Sequence, residues 1–224
     1  MHDAVDRKER SQFDWHMLLR LCNGSIAQIR AGQVIFRQGD DTDEVFFLAS
    51  GRVKDSVISK IGKEGVIGIV QAGEFFGECG LRGHRIHFAT AIALSDCRIV
   101  RMPSSAVARA MRTDTSFAGW FADFLLVRVD RLEADVINHL FNSSERRLAR
   151  LLLILAQFDQ NGVDPITPRV DQQTLANMIG TTRPRVCEFM NKFRRAGHIS
   201  TADGQTVVHG TLLSVLLNDA AERG

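Results

Sequence analysis

No stretch of this sequence approaches the ~20 consecutive apolar residues that a membrane-spanning helix needs. The longest candidate, Leu148 to Ala156, is broken by Arg150 and follows Arg146 and Arg147, so no membrane partner is expected. Met1 to Arg10 mixes charges with no apolar core and no small-residue cleavage site, which predicts a cytoplasmic protein without a secretory signal. Cysteine is scarce. Cys22, Cys79, Cys97 and Cys187 form no CxxC and no Cys/His pair at zinc spacing, which excludes a disulfide framework and leaves no metal site to expect. An iron–sulfur cluster needs clustered cysteines, and the N-terminal region offers only Cys22. A P-loop, GxGxxG, HExxH and nucleophile elbow are all missing, and the histidines are scattered, so the chain is not expected to be an enzyme.

What is present suits a folded two-domain protein. The 224 residues are long for one compact core and fit two small domains. Hydrophobic residues at 45% and charged residues at 24% exclude long disorder and fibrous architecture. The net charge of +2 does not announce a polyanion partner. The basic residues are unevenly placed, however: Arg183 to Gly197 holds five Arg or Lys against one Glu.

Three zones follow one another. Eleven of the 18 glycines fall between Gly24 and Gly83, separating short segments such as Gln33–Phe36, Val45–Leu48, Val66–Val70 and Ala91–Ala93. Frequent turns between short strands predict an all-β roll or barrel. From Phe117 to Phe141 there is no Pro and no Gly after Gly119, and Phe117, Phe121, Leu125, Val129, Leu132, Val136 and Leu140 recur at steps of three or four. That spacing predicts one long helix with an apolar stripe. It is longer than a small domain needs, so the stripe is expected to pair with a second copy, with Trp120, Phe124 and Val127 as a further apolar set; the alternative is that it covers the roll. Asn142-Ser143-Ser144 interrupts the pattern, and the serine just before Glu145 reads as the N-cap of a new helix. Asn161-Gly162, Pro165 and Pro168 predict a loop, and Asp203-Gly204 between Ile199 and Val207-Val208 predicts a hairpin.

The most specific signal runs from Gln172 to Asn191. A helix-turn-helix needs a small residue where two helices touch, a glycine in the turn and apolar residues beneath the second helix; Ala176, Gly180, Val186 and Phe189 supply them in register. Thr182 is positioned as N-cap and Pro184 lies in the first turn. Arg183 and Arg185 then reach outward, as base-reading side chains do in the major groove. Lys192, Arg194 and Arg195 are placed to bind phosphates. The His198 to His209 hairpin makes the motif a winged one. Cys187 sits beside the two arginines, where positive charge and a helix N-terminus activate a thiol; the plainer reading is a small residue facing DNA.

In this order, the zones resemble the Crp/Fnr superfamily of bacterial transcription regulators from about residue 20 onward. The carrying residues are Gly32-x-x-Ile35-Phe36-x-x-Gly39-Asp40, Phe47-x-x-x-Gly51-x-Val53, Gly73-x-x-Phe76-Gly77-Glu78 and Leu175-Ala176-x-x-Ile179-Gly180-Thr181-Thr182-Arg183. The resemblance implies an α+β fold: an N-terminal arm (1–20), a double-stranded β-roll of the cyclic-nucleotide-binding kind (21–114), a long central dimerisation helix (115–141) and a winged helix-turn-helix (142–224). It implies a homodimer on a palindromic promoter site in double-stranded DNA, with RNA polymerase as a further partner. Thr182, Arg183, Pro184, Arg185, Cys187, Glu188, Lys192 and Arg194 form the expected DNA-binding set. Phe117, Phe121, Phe124, Leu125, Leu132 and Val136 form the expected dimer interface. Leu140 to Arg150, with Asn191 to Arg194, is similar to a subgroup whose effector the sequence does not identify.

The resemblance breaks at the effector site, expected at Gly77, Glu78, Cys79, Arg85, His87 and Phe88. Cyclic-nucleotide-binding members follow the Gly-Glu segment with Arg-Ser or Arg-Thr ahead of an Ala, because a guanidinium holds the cyclic phosphate while the carboxylate holds the ribose. Here Gly77 and Glu78 match, but His87-Phe88 precedes Ala89 and the phosphate-binding arginine is absent. On a strand, Arg85 would share a face with His87 and compensate in part. A cyclic nucleotide is thus possible but not expected, no other cofactor is expected, and haem has only His84 and His87 as candidate ligands. Control by a non-standard effector, or by none, is the reading. The alternative is a cyclic-nucleotide-responsive module that acts through protein contacts rather than DNA.

Overall fold

Val45-Phe-Phe-Leu48 is an unbroken apolar run because its strand is covered on both faces, which removes the usual alternation of a half-buried strand. Phe46 and Leu48 pack between two sheets with Phe36, Val53, Val70, Phe76 and Ile99. Val45 and Phe47 point the other way, into a second core with Leu18, Phe75, Met102, Val107, Phe117 and Phe121. The computed structural model describes residues 15–60, 62, 64–83, 86–156, 167, 170–202 and 204–217. These fall into two units, residues 1–130 and 131–224.

The first unit opens with α1 (His16–Leu21), followed by β1 (Ser25–Ile29), β2 (Val34–Phe36), β3 (Glu44–Ser50), β4 (Arg52–Ile58), β5 (Glu64–Gln71) and β6 (Phe75–Phe76). A 3-10 turn (Glu78–Arg82), β7 (Thr90–Ala93), β8 (Cys97–Pro103), α2 (Ser104–Thr113) and the long α3 (Thr115–Phe141) complete it. All strand pairs are antiparallel, in two four-stranded sheets ordered β1-β8-β3-β6 and β2-β7-β4-β5. This is the expected roll. Leu18 of α1 is fully buried in its second core, so the expected N-terminal arm contributes to the roll from α1 onward. Residues 1–14 of that arm lie outside the described residues.

Helix α3 matches the stripe's expected length at 27 residues, about 40 Å at 1.5 Å per residue. Its second half belongs to the other unit, with α4 (Ser144–Ala156), α5 (Gln172–Ile179), α6 (Arg183–Arg195), β9 (Ile199–Ala202), β10 (Gln205–Val208), a 3-10 turn (Gly210–Leu212) and α7 (Leu213–Leu217). The helix break falls at Asn142-Ser143 as expected, but the cap is one residue earlier than the sequence suggests. Ser143 Oγ accepts from Arg146 N–H at 3.3 Å, and Ser144 is already helical. Strands β9 and β10 pair antiparallel with Gln205 opposite Ala202, which is the predicted wing. Its turn residue Asp203, and the loop expected at 161–165 and 168, lie outside the described residues.

Candidate functional site

The helix-turn-helix is built as its residues dictate. The Asp171 carboxylate caps α5, accepting the Thr174 N–H at 2.9 Å and the Thr174 hydroxyl at 2.7 Å. Gly180 ends the helix at φ +64°, a left-handed conformation that favours glycine, and a side chain there would also come within 3.1 Å of the His139 ring. Helices α4, α5 and α6 pack on one another, burying Leu148, Leu152, Leu175, Ala176 and Ile179. Thr182 occupies the N-cap position of α6, but its hydroxyl makes no capping bond, which departs from the capping role expected of it.

Helix α6 has two faces. Val186, Phe189, Met190 and Phe193 are buried, at the steps of three and four that one helical side requires. Thr182, Arg183, Pro184, Arg185, Cys187, Glu188, Lys192, Arg194 and Arg195 are all exposed. Three of the basic groups have local partners: Lys192 Nζ lies 2.8 Å from Glu145 of α4, Arg194 donates to Asn191 at 2.8 Å, and Arg185 stands over the Phe189 ring. Cys187 is the exposed thiol among the four, with Asn191 Nδ2 at 3.8 Å from its sulfur.

The expected dimer stripe divides in two. Phe117 and Phe121 are 0% and 2% exposed inside the roll's second core, and Phe124 packs against the same cluster. Those three are therefore corrected from interface to core: their large rings fill the roll beside Phe47 and Phe75. Leu125, Leu126, Val129, Leu132, Val136, Ile137 and Leu140 remain exposed.

At the effector site, Gly77 takes φ +70°, and a side chain there would come within 2.8 Å of the Phe46 ring. This left-handed turn sets Glu78 at the start of the 3-10 turn, where the carboxylate meets Arg128 of α3 at 3.2 Å. Arg128 also donates to the Phe75 carbonyl at 3.3 Å. Cys79 is half-buried in the same turn. Arg85 and His84 lie outside the described residues. The segment is not the strand expected there: Ile86 makes an isolated bridge to Asp41, and β7 starts only at Thr90. His87 is turned into the core, 3% exposed, with its ring stacked 3.8 Å above Phe36. Burial lowers its pKa, favouring the neutral ring. Phe88 instead faces outward, so it does not line the interior.

Sequence reasoning missed two residues here. Asp55 on β4 is 7% exposed, and burial pushes its carboxyl up to about 7 against the opposing charge of Arg128, with Glu78 and Glu74 adding to the rise. The signal was a carboxylate two residues from Val53 and two from Val57, on the inward phase of the strand. Arg128 was a lone base inside the apolar run Phe124 to Val129. These residues do not fit a cyclic phosphate. A neutral buried imidazole stands where the phosphate arginine is needed, Arg128 is committed to Glu78, and the interior carries a further buried acid. Among the described residues no group of three His, Cys, Asp or Glu is placed to hold a metal ion. No helix among them is long and apolar enough to cross a membrane.

A β-roll, a long helix and a winged helix-turn-helix thus follow one another along the chain. The family described as cyclic nucleotide-binding domain matches residues 26–114, and that described as Crp-like helix-turn-helix domain matches residues 146–210. The chain belongs to the Crp/Fnr superfamily and is a transcription regulator with a helix-turn-helix DNA-binding domain, not an enzyme. It is 23% identical over 180 residues to the CRP-like cAMP-activated global transcriptional regulator of Mycobacterium tuberculosis, covering 79% of this chain and 80% of that one. To the Global nitrogen regulator of Synechocystis sp. it is 27% identical over 183 residues, covering 79% of this chain and 81% of that one. Among solved structures, FixK2 from Bradyrhizobium japonicum shares the fold with a TM-score of 0.72 at 17% identity, covering 88% of this chain and 98% of that one.

Proposed function

We propose that this regulator works in the cytoplasm as a homodimer, reads a palindromic promoter site with one α6 per protomer, and engages RNA polymerase there. The observation that carries the reading is the division of α6: an apolar side buried in its own domain, and an exposed side bearing Arg183, Arg185 and the basic C-terminal turn. Arg183 and Glu188 read base edges, a guanine and a cytosine amino group respectively, while the later basic residues contact phosphates. Pairing of protomers is supported by the exposed apolar residues of α3 from Leu125 to Leu140, which water leaves unsatisfied. Control comes from the roll through an effector other than a cyclic nucleotide.

The test is a mobility shift on a duplex with two half-sites one helical turn apart, over a range of salt. Binding that prefers the palindrome and weakens steeply with salt is expected from phosphate-dominated contact. Equal binding to palindrome and scrambled duplex, or none to either, overturns the reading.

A further inference from the structure

Asp55 stands on the inner face of the roll, opposite Gly68 of β5 and Ala91 of β7, and Ala91 in turn stands opposite Phe36 of β2. Phe36, Ala91, Asp55 and Gly68 thus form one row across the sheet, about 14 Å from end to end at normal strand spacing. The acid is flanked by the two smallest residues of the row. A side chain built on Gly68 would meet no atom within 4 Å, so the face is open beside the carboxylate.

Two buried polar atoms along this row have no hydrogen-bond partner among the described residues: Asp55 Oδ1, and Nδ1 of His87, whose ring is stacked on Phe36. A buried carboxylate oxygen without a donor is unfavourable, and such groups in native proteins almost always find one. The charge around it selects the kind of donor. Glu74 and Glu78 bring negative potential to Asp55, and the opposing guanidinium of Arg128 is already ion-paired to Glu78. A phosphate would add a further negative charge to this interior, whereas a cation relieves it.

We propose that the interior of this β-roll binds a small organic cation, an amine or a guanidine, whose N–H donates to Asp55 in place of a cyclic phosphate. The proposal rests on the reading of the roll as the sensor of a DNA-binding regulator. His87, stacked on Phe36 at the other end of the row, adds no competing charge, because burial favours its neutral ring.

The test uses the full-length protein without DNA, at about pH 8, titrated calorimetrically with methylguanidine, butylamine and cyclic AMP in turn. One of the two cations is expected to bind once per protomer and more tightly than cyclic AMP, and the tighter of them tells guanidine from amine. Asp55→Asn is expected to lose about tenfold or more in that affinity, while its melting temperature stays at or above that of the unsubstituted protein. Failure of both cations to bind, equal binding to the protein and to Asp55→Asn, or tighter binding of cyclic AMP than of either cation overturns the proposal. Operator binding is measured separately. A protein that holds its operator but no cation overturns only the ligand, and one that holds the cation but no operator overturns the DNA reading.

Discussion

The guanidinium of Arg128 lies 3.2 Å from the carboxylate of Glu78, joining the first half of α3 to the turn that closes the roll's interior. Both side chains are about one-third or less exposed, and Arg128 holds the Phe75 carbonyl as well, so the pair is better ordered than a surface ion pair. A change in the roll's interior therefore has a direct contact through which to act on α3. A double-mutant cycle of Glu78→Gln and Arg128→Gln, read by denaturant midpoint, is expected to give a coupling of about 1 kcal/mol. Additive effects would mean that the pair does not tie the helix to the turn.

Asp55 makes stability depend on pH with a definite sign. Its folded pKa, about 7, lies above the ordinary aspartate value of 3.8 because of burial, so the folded state holds the proton more tightly than the unfolded state. Stability from this group is therefore present below about pH 4, lost as pH rises through the interval, and fully lost above about pH 7. Asparagine at this position cannot ionise. Asp55→Asn is expected to melt higher than the unsubstituted protein at neutral pH, by an advantage that grows from about pH 4 to 7 and then levels. At 1.36 kcal/mol per unit the shift corresponds to roughly 4 kcal/mol. Parallel melting curves across that range would show that the acid is not buried alone.

Leu132 tests the protomer contact cleanly because it is 49% exposed and holds up no part of the roll. Leu132→Asp is expected to sediment as a monomer with an unchanged melting curve at low concentration, because a charge in an apolar seam costs several kcal/mol. Operator affinity falls with it, since two recognition helices about 34 Å apart need the dimer. Unchanged sedimentation would assign the exposed stripe to something other than a second copy.

Base reading and phosphate contact separate at two arginines. Arg183→Ala is expected to cost about 1–3 kcal/mol at one base pair and relax specificity there. Arg195→Ala weakens palindromic and scrambled duplexes alike; it is a better phosphate probe than Lys192, whose ammonium is held by Glu145. Equal losses on both duplexes for Arg183→Ala would remove it from the base-reading set.

The thiols differ in reach. Cys22 and Cys97 are buried, and burial pushes the Cys22 thiol up to about 11, so neither supplies thiolate at neutral pH. Cys187 lies on the exposed side of α6, with Arg183 and Arg185. Mild peroxide is expected to lower operator affinity by adding charge at the groove, and Cys187→Ser to resist it. Equal loss in both proteins points to Cys79; no loss in either excludes oxidative control of binding.

The local patterns determined every element whose signal is periodic or stereochemical. The recurrence of apolar residues at three and four dictated α3, and the glycine between Ile179 and Thr181 dictated the turn of the helix-turn-helix, because left-handed backbone admits little else. Other elements were not legible. Strand β4, with Arg52, Lys54 and Asp55, reads as polar chain, and only its pairing with β5 and β7 makes it a central strand. The stripe of α3 shows one continuous apolar face, yet Phe117 and Phe121 fill the roll while Leu132 and Val136 stay exposed. Periodicity reports that a face is apolar; it carries no information about which surface will cover it. The same limit governs the effector site. The sequence showed that a phosphate arginine was missing after Gly77-Glu78, but only the fold brought Arg128 of α3 to Glu78 and set both charges within electrostatic reach of the buried Asp55. The burial of Asp55 and the charges facing it are encoded by no single segment.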